Sequence, residues 1–162
     1  TAEHVRLLNA AHKDRLILKV KKYWNEEELD QADVDSVISV LPKPGKSGKT
    51  PAGFRPVALL QICGKILARV LYNRIKGPLD KILHPNQAGF RPYSRGTDHI
   101  LTLKNLINNC VTMDESLILV FVDLQQAFDT IPRDLIQMVF DHYKLDPKLQ
   151  RVFWSLCKDH AF

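Results

Sequence analysis

The 162-residue sequence predicts an α+β fold. Three observations carry that class. Apolar residues recur at helical spacing over most of the chain. Two β-branched segments, Val34–Leu41 and Arg55–Leu60, flank a loop of Pro, Gly and Lys, which is hairpin chemistry. The run Leu117–Val122 is unbroken and apolar, with the length of a strand buried on both faces.

In chain order, Glu3–Tyr23 reads as helical with a broad apolar face, and Asp14 is a candidate break. Trp24 reads as a packing anchor and Glu26, Glu27 and Glu28 as a solvated acidic face. The hairpin follows; Pro56 stands near the start of its second strand, where a missing donor is tolerated. Gln61–Lys76 carries the stripe Ile62, Ile66, Leu67, Val70, Leu71 and Ile75, and Gly77-Pro78 should end that helix before a short one over Leu79–Leu83. His84–Gly96 is irregular, with Phe90 and Tyr93 interleaved with Arg91 and Arg95. Thr97 can cap a helix whose core face is Ile100, Leu103, Leu106, Ile107 and Cys110. After the apolar run come helices over Pro132–Tyr143 and from Asp146-Pro147 onward.

The length suits about one domain. No apolar run reaches the ~18 residues of a membrane span, and no signal peptide is visible. The first residue is Thr rather than Met, as in an excised piece or a processed product. Cys63, Cys110 and Cys157 form neither a zinc pattern nor a disulfide framework, which fits an intracellular, reducing compartment such as cytoplasm or nucleus. The formal charge is +5, but it is unevenly spread. Leu41–Lys104 holds twelve Lys or Arg against two acids, Asp80 and Asp98; the rest of the chain is net acidic. Such a block is the footprint of a polyanionic partner or, more plainly, a soluble basic surface.

Two places bear on chemistry. Gly45-Lys-Ser-Gly-Lys-Thr50 imitates a phosphate-binding P-loop, but its glycines are two residues too close and no helix start follows. Asp123 sits at the end of the apolar run, with Phe128 and Asp129 after a short turn. A carboxylate there must be paired, ligating or at a surface. It reads as the ligand of a divalent metal over a nucleotide site; the plain alternative is that Asp123 ends a strand and Asp129 caps a helix. Phe90 and Tyr93 offer stacking faces, Arg91 and Arg95 phosphate contacts, and Gly89 room for close backbone approach. Lys65 could track phosphates or belong to a solvated face.

Taken together, Leu41-Pro-Lys-Pro-Gly, Phe54-Arg-Pro-Val-Ala-Leu-Leu60, Gly64-Lys-Ile-Leu67, Asn73-Arg-Ile75, His84-Pro-Asn-Gln-Ala-Gly-Phe-Arg91 and Phe121-Val-Asp-Leu-Gln-Gln-Ala-Phe-Asp129 resemble a reverse transcriptase of the non-LTR retroelement type. The resemblance runs from about Val34 to the end. It implies a right-hand polymerase: fingers over residues 1–115 (helical segment 1–33, hairpin 34–60, helices 61–112), then the start of a palm over 116–162. It implies that Asp123 is the first catalytic aspartate, a ligand of both Mg²⁺ ions, and that the Leu124 backbone carbonyl meets the nucleotide-side metal. It implies that Lys43, Arg55, Gln126, Ala127 and Phe128 meet the incoming dNTP, Phe128 as the aromatic gate against a ribose 2′-OH. Gly89, Phe90, Arg91 and Lys65 would follow the template. The implied partners are an RNA template, a DNA primer, dNTPs, and the rest of the polymerase or another chain over the open sheet edge, with no membrane. Glutamines at 125 and 126 depart from the family's usual charged residues. The family's later Asp-Asp hairpin has no counterpart, since no Asp-Asp pair occurs in the sequence. The chain alone is therefore expected to be inactive as a polymerase. The alternative is a non-catalytic fragment that binds RNA or dimerises.

Overall fold

A computed structural model describes residues 2–45, 50–124 and 127–158. It is α+β, with helices α1 (Ala2–Leu7), α2 (Ala10–Glu26) and α3 (Gln31–Val34) leading to strand β1 (Val37–Pro42). A 3-10 turn, Pro51–Gly53, precedes strand β2 (Phe54–Leu59). Helices α4 (Ile62–Ile82), α5 (Gly96–Met113), α6 (Ala127–Thr130), α7 (Arg133–His142) and α8 (Pro147–Leu156) complete the order. The chain divides into two compact units, Thr1–Arg74 with Pro132–Phe162, and Ile75–Ile131.

The first unit holds the core: Val20, Tyr23, Leu29, Val34, Cys63, Leu67, Leu71 and Val152 are buried. Its tightest corner is where α2, α3 and α4 meet. Tyr23 is fully buried, and its hydroxyl lies 2.5 Å from an Asp33 carboxylate oxygen and 2.7 Å from one of Asp30. Lys19 adds an ion pair to Asp33 at 2.5 Å. A buried carboxylate survives only with such partners. Burial pulls the Asp33 carboxyl upward, but the Lys19 and Tyr23 hydrogen bonds outweigh it and hold it below the usual range. Burial first, then Asp33 and Asp30, push the Tyr23 phenol well up. Gly64 closes the corner: a Cβ there would stand 3.3 Å from the Asp33 carbonyl oxygen.

The terminal helices join the same unit. The Asp146 side chain caps α8 by accepting from Lys148 N at 2.8 Å. Phe140 of α7 meets Phe153 edge-on and Trp154 at a tilt on α8, where those two rings also pack edge-on against each other. Gln137 accepts from the Trp154 indole at 2.7 Å and donates to Gln150 at 2.8 Å. The acids expected to be merely solvated are paired: Glu27 with Arg151, Glu28 with Lys158, and Glu26 with Lys22 at 3.7 Å. Their partners lie too far along the sequence, or one helical turn away, to be read from a local charge run. Trp24 anchors as expected, with Arg74 and Lys148 over its ring at 5.2 and 5.3 Å.

Several expected boundaries move. The N-terminal helix breaks at Asn9, whose side chain accepts from His12 N at 2.9 Å as an N-cap, rather than at Asp14. Val34 belongs to α3, so the first strand starts at Val37. Helix α4 runs through Gly77 and Pro78. Proline there removes the bond to the Arg74 carbonyl and crowds that carbonyl, yet the helix continues to Ile82. Helix α5 begins one residue before Thr97, with Arg95 in the cap position and Asp98 complementing the dipole of the first turn. Pro132 rather than Asp129 precedes α7, and Asp129 lies in α6.

The largest correction is Leu117–Val122. These residues form no strand, and Ile118, Val120, Phe121 and Val122 are 80–88% exposed. A strand exists through ladder hydrogen bonds to a neighbour, and none of the described residues supplies one.

Tyr23→Phe should cost about 1–3 kcal/mol in urea denaturation, since a hydrogen bond to a charged group is lost from a buried site. The depressed Asp33 carboxyl contributes stability above its unfolded value, about 3.9, that is lost as pH falls through the lower folded one. A melting temperature that drops in this acid range in the parent, and drops less in Asp33→Asn, is the expected result.

Candidate nucleotide and template site

The hairpin is the best-defined part of the site. Strands β1 and β2 pair antiparallel in the register Val37↔Leu59 to Pro42↔Phe54, with Leu41 opposite Arg55. The ladder reaches one residue further, because Lys43 N donates to the Gly53 carbonyl at 2.8 Å. Lys43 therefore shares a face with Leu41, and hence with Arg55, as a diagonal pair about 7–8 Å apart. The structure brings these two predicted residues together. Arg55 is exposed and Lys43 half-buried. Residues 46–49 of the connecting loop lie outside the described residues. The loop joins two strands through a 3-10 turn instead of opening a helix, so the P-loop imitation fails in context as it did in spacing.

In the second unit, Asp123 and Leu124 are exposed at the end of the extended apolar run, and Ala127 opens α6. Gln126 lies outside the described residues, as does the side chain of Phe128. Asp123 and the Leu124 carbonyl are hard oxygen donors of the type that suits Mg²⁺. Their number does not suffice: no group of three or more His, Cys, Asp or Glu capable of holding a metal occurs among the described residues. Among the described residues, no further carboxylate completes a cage with Asp123.

Residues 84–95 form the predicted template segment. Gln87 N closes a turn onto the His84 carbonyl at 2.9 Å, and Arg91 N approaches the Ala88 carbonyl at 3.5 Å. Phe90 and Tyr93 both take left-handed backbone conformations, with φ of 61° and 64°. Bulky residues rarely do so; each costs on the order of 1–3 kcal/mol. Tyr93 is fully exposed and Phe90 nearly so. Gly89 has an ordinary φ, and a Cβ on it would meet nothing within 4 Å. The chain's own packing does not require a glycine there, which fits room left for a ligand.

Arg91, expected to meet the template, is committed to the chain itself. Its Nε donates to Asp80 Oδ1 at 2.7 Å and its Nη2 lies 3.4 Å from the Asp80 carbonyl. Its Nη1 reaches the carbonyls of His84 at 3.0 Å and Gln87 at 3.5 Å. Asp80 was visible as one of two acids in the basic block, but nothing local paired it with a residue eleven positions on. Lys65 is exposed on the first turn of α4 in the first unit.

Residues 41–160 match the family described as reverse transcriptase (RNA-dependent DNA polymerase). This chain belongs to the reverse transcriptase family. A probable RNA-directed DNA polymerase from transposon BS of Drosophila melanogaster is 32% identical over 101 residues, covering 61% of this chain and 11% of that protein. The transposon TX1 uncharacterized 149 kDa protein of Xenopus laevis is 26% identical over 141 residues, 78% of this chain and 11% of that protein. The RNA-directed DNA polymerase from mobile element jockey of D. melanogaster is 33% identical over 91 residues, 53% of this chain and 10% of that protein. The chain thus spans about a tenth of each relative's length, and its similarity is to reverse transcriptases of the non-LTR type. Among the described residues no helix is long and apolar enough to cross a membrane.

Because Val120 and Phe121 bury little in this chain, Val120→Ser and Phe121→Ser should change its unfolding free energy by no more than about 0.5 kcal/mol. Both should reduce self-association in sedimentation experiments, since they interrupt an exposed apolar patch.

Proposed function

We propose that this reverse transcriptase segment is the fingers (1–115) and first palm portion (116–162) of a polymerase that adds deoxynucleotides to a primer 3′-OH on an RNA template. The observation that carries the reading is the hairpin face shared by Lys43 and Arg55. Two cations at diagonal ladder positions suit the triphosphate of a dNTP. In the reaction the primer 3′-oxygen bonds to the α-phosphorus, the bond to the bridging oxygen breaks, and pyrophosphate leaves with its added charge. Fixed cations beside the β- and γ-phosphates favour that transition state more than the ground state. Asp123 and the Leu124 carbonyl contribute oxygens toward Mg²⁺ in the complete polymerase. The metal, when bound, supplies charge neutralisation at the reacting phosphate. Gln126, Ala127 and Phe128 lie along the nucleotide, with Phe128 excluding a ribose 2′-OH. Gly89, Phe90 and Lys65 follow the template. By itself the chain does not extend a primer, for want of the remaining carboxylates.

A second reading has its own support. The exposed run Leu117–Leu124 also fits a non-catalytic fragment that dimerises or binds RNA through the basic block. Primer extension separates the two, carried out in a complete polymerase bearing this segment. Asp123→Ala should abolish extension with RNA affinity nearly unchanged. Arg55→Ala should raise the dNTP KM about tenfold or more, the loss of one charge-assisted contact. Retained extension in Asp123→Ala, or an unchanged KM in Arg55→Ala, removes that residue from the site.

A further inference from the structure

We infer that Arg91 is a positioning residue, not a phosphate ligand: clamped to Asp80, it sets the two left-handed turns from which Phe90 and Tyr93 project as a stacking surface for the bases of single-stranded template RNA. The inference rests on the proposed template reading of this segment.

The donor geometry is the first argument. A guanidinium has five N–H groups. Those of Arg91 face Asp80 Oδ1, the Asp80 carbonyl and the carbonyls of His84 and Gln87, which leaves one for any outside acceptor. The side chain is only 16% exposed. A phosphate ligand needs its fork turned outward, and this one is turned in.

Backbone conformation is the second. The two left-handed aromatic residues are the immediate predecessor of Arg91 and the residue two after it. Bulky residues hold such conformations only where the surroundings over-determine them. Arg91 is the tie that does so here. It fastens the loop to Asp80, on the last turn of α4, and to two carbonyls of the preceding turn. The rings it holds between are nearly or fully exposed, Phe90 at 88% and Tyr93 at 103%. Exposed aromatics beside cationic residues form a sequence-tolerant platform for unpaired bases.

Charge is the third. Asp80 is one of two acids between Leu41 and Lys104, where an acid opposes polyanion binding. A clamp on Arg91 gives it a use that outweighs this cost.

The test is fluorescence anisotropy of a fluorescein-labelled, mixed-sequence single-stranded RNA titrated with this chain over a range of KCl. Helix content of each variant is followed by circular dichroism. Phe90→Ala and Tyr93→Ala should each weaken binding about tenfold, the loss of one stacked base. Asp80→Ala and the charge-keeping Arg91→Lys should weaken it by a similar factor with parent helix content. The slope of log K against log salt should not change in either. A direct phosphate ligand behaves oppositely. Arg91→Lys would then keep parent affinity, Asp80→Ala would bind more tightly, and Arg91→Ala would lower the salt slope by about one; that pattern overturns the inference while the stacking reading stands. If Phe90→Ala and Tyr93→Ala both leave affinity unchanged, the template reading of the segment falls, and the positioning role falls with it.

Discussion

One buried carboxylate organises the better-packed half of this chain. Asp33 stands at the junction of α2, α3 and α4, four residues before the first hairpin strand begins at Val37. Lys19 and Tyr23 reach it from α2, and Gly64 lets α4 come within contact of its carbonyl. Such an ion pair adds little net stability over an apolar replacement. What it adds is a fixed geometry: the charge must be met by these partners or the site cannot stay closed. The direction in which β1 leaves the helices is thereby constrained by chemistry four residues upstream as well as by the ladder.

The hairpin then needs little else. Its residues are mostly exposed, and it is held by its own ladder and by the helices at its two ends. A two-stranded ribbon of this kind is marginal alone. The ribbon carries Arg55 exposed and Lys43 half-buried at the end away from the helices. The long-range pairs Glu27–Arg151 and Glu28–Lys158 belong to the same scheme, since they bring the last helix against the segment that precedes Asp33.

The sequence was readable where the physics is local. The hairpin, the apolar stripe of α4 and the Asp146 cap of α8 each depend on residues within a few positions of one another, and each is present. The failures share a cause, dependence on something distant. Leu117–Val122 has the composition of a buried strand, but composition specifies only a wish for neighbours, and the described residues contain none. Gly77-Pro78 has the composition of a helix end, yet the helix of 21 residues runs through it to Ile82, so the local signal alone did not decide the boundary. The pairing of Arg91 with Asp80 was likewise hidden, because the acid lies on the preceding helix. At the candidate site, motif order singled out residues for testing, while the chain's own partners of residues such as Arg91 became visible only in three dimensions.

The same distinction refines the charge argument. Twelve basic residues between Leu41 and Lys104 count equally in a formal sum but not in a field. Asp80 neutralises Arg91 at close range. Arg69 and Arg74 lie over the rings of Tyr72 and Trp24, contacts that fix a cation in place without cancelling it. A polyanion would therefore meet a surface that is less uniform than the sequence indicates. In the first unit, Arg69 and Arg74 are held in defined positions on α4; in the second, Arg91 is paired with Asp80, and Phe90 and Tyr93 are exposed.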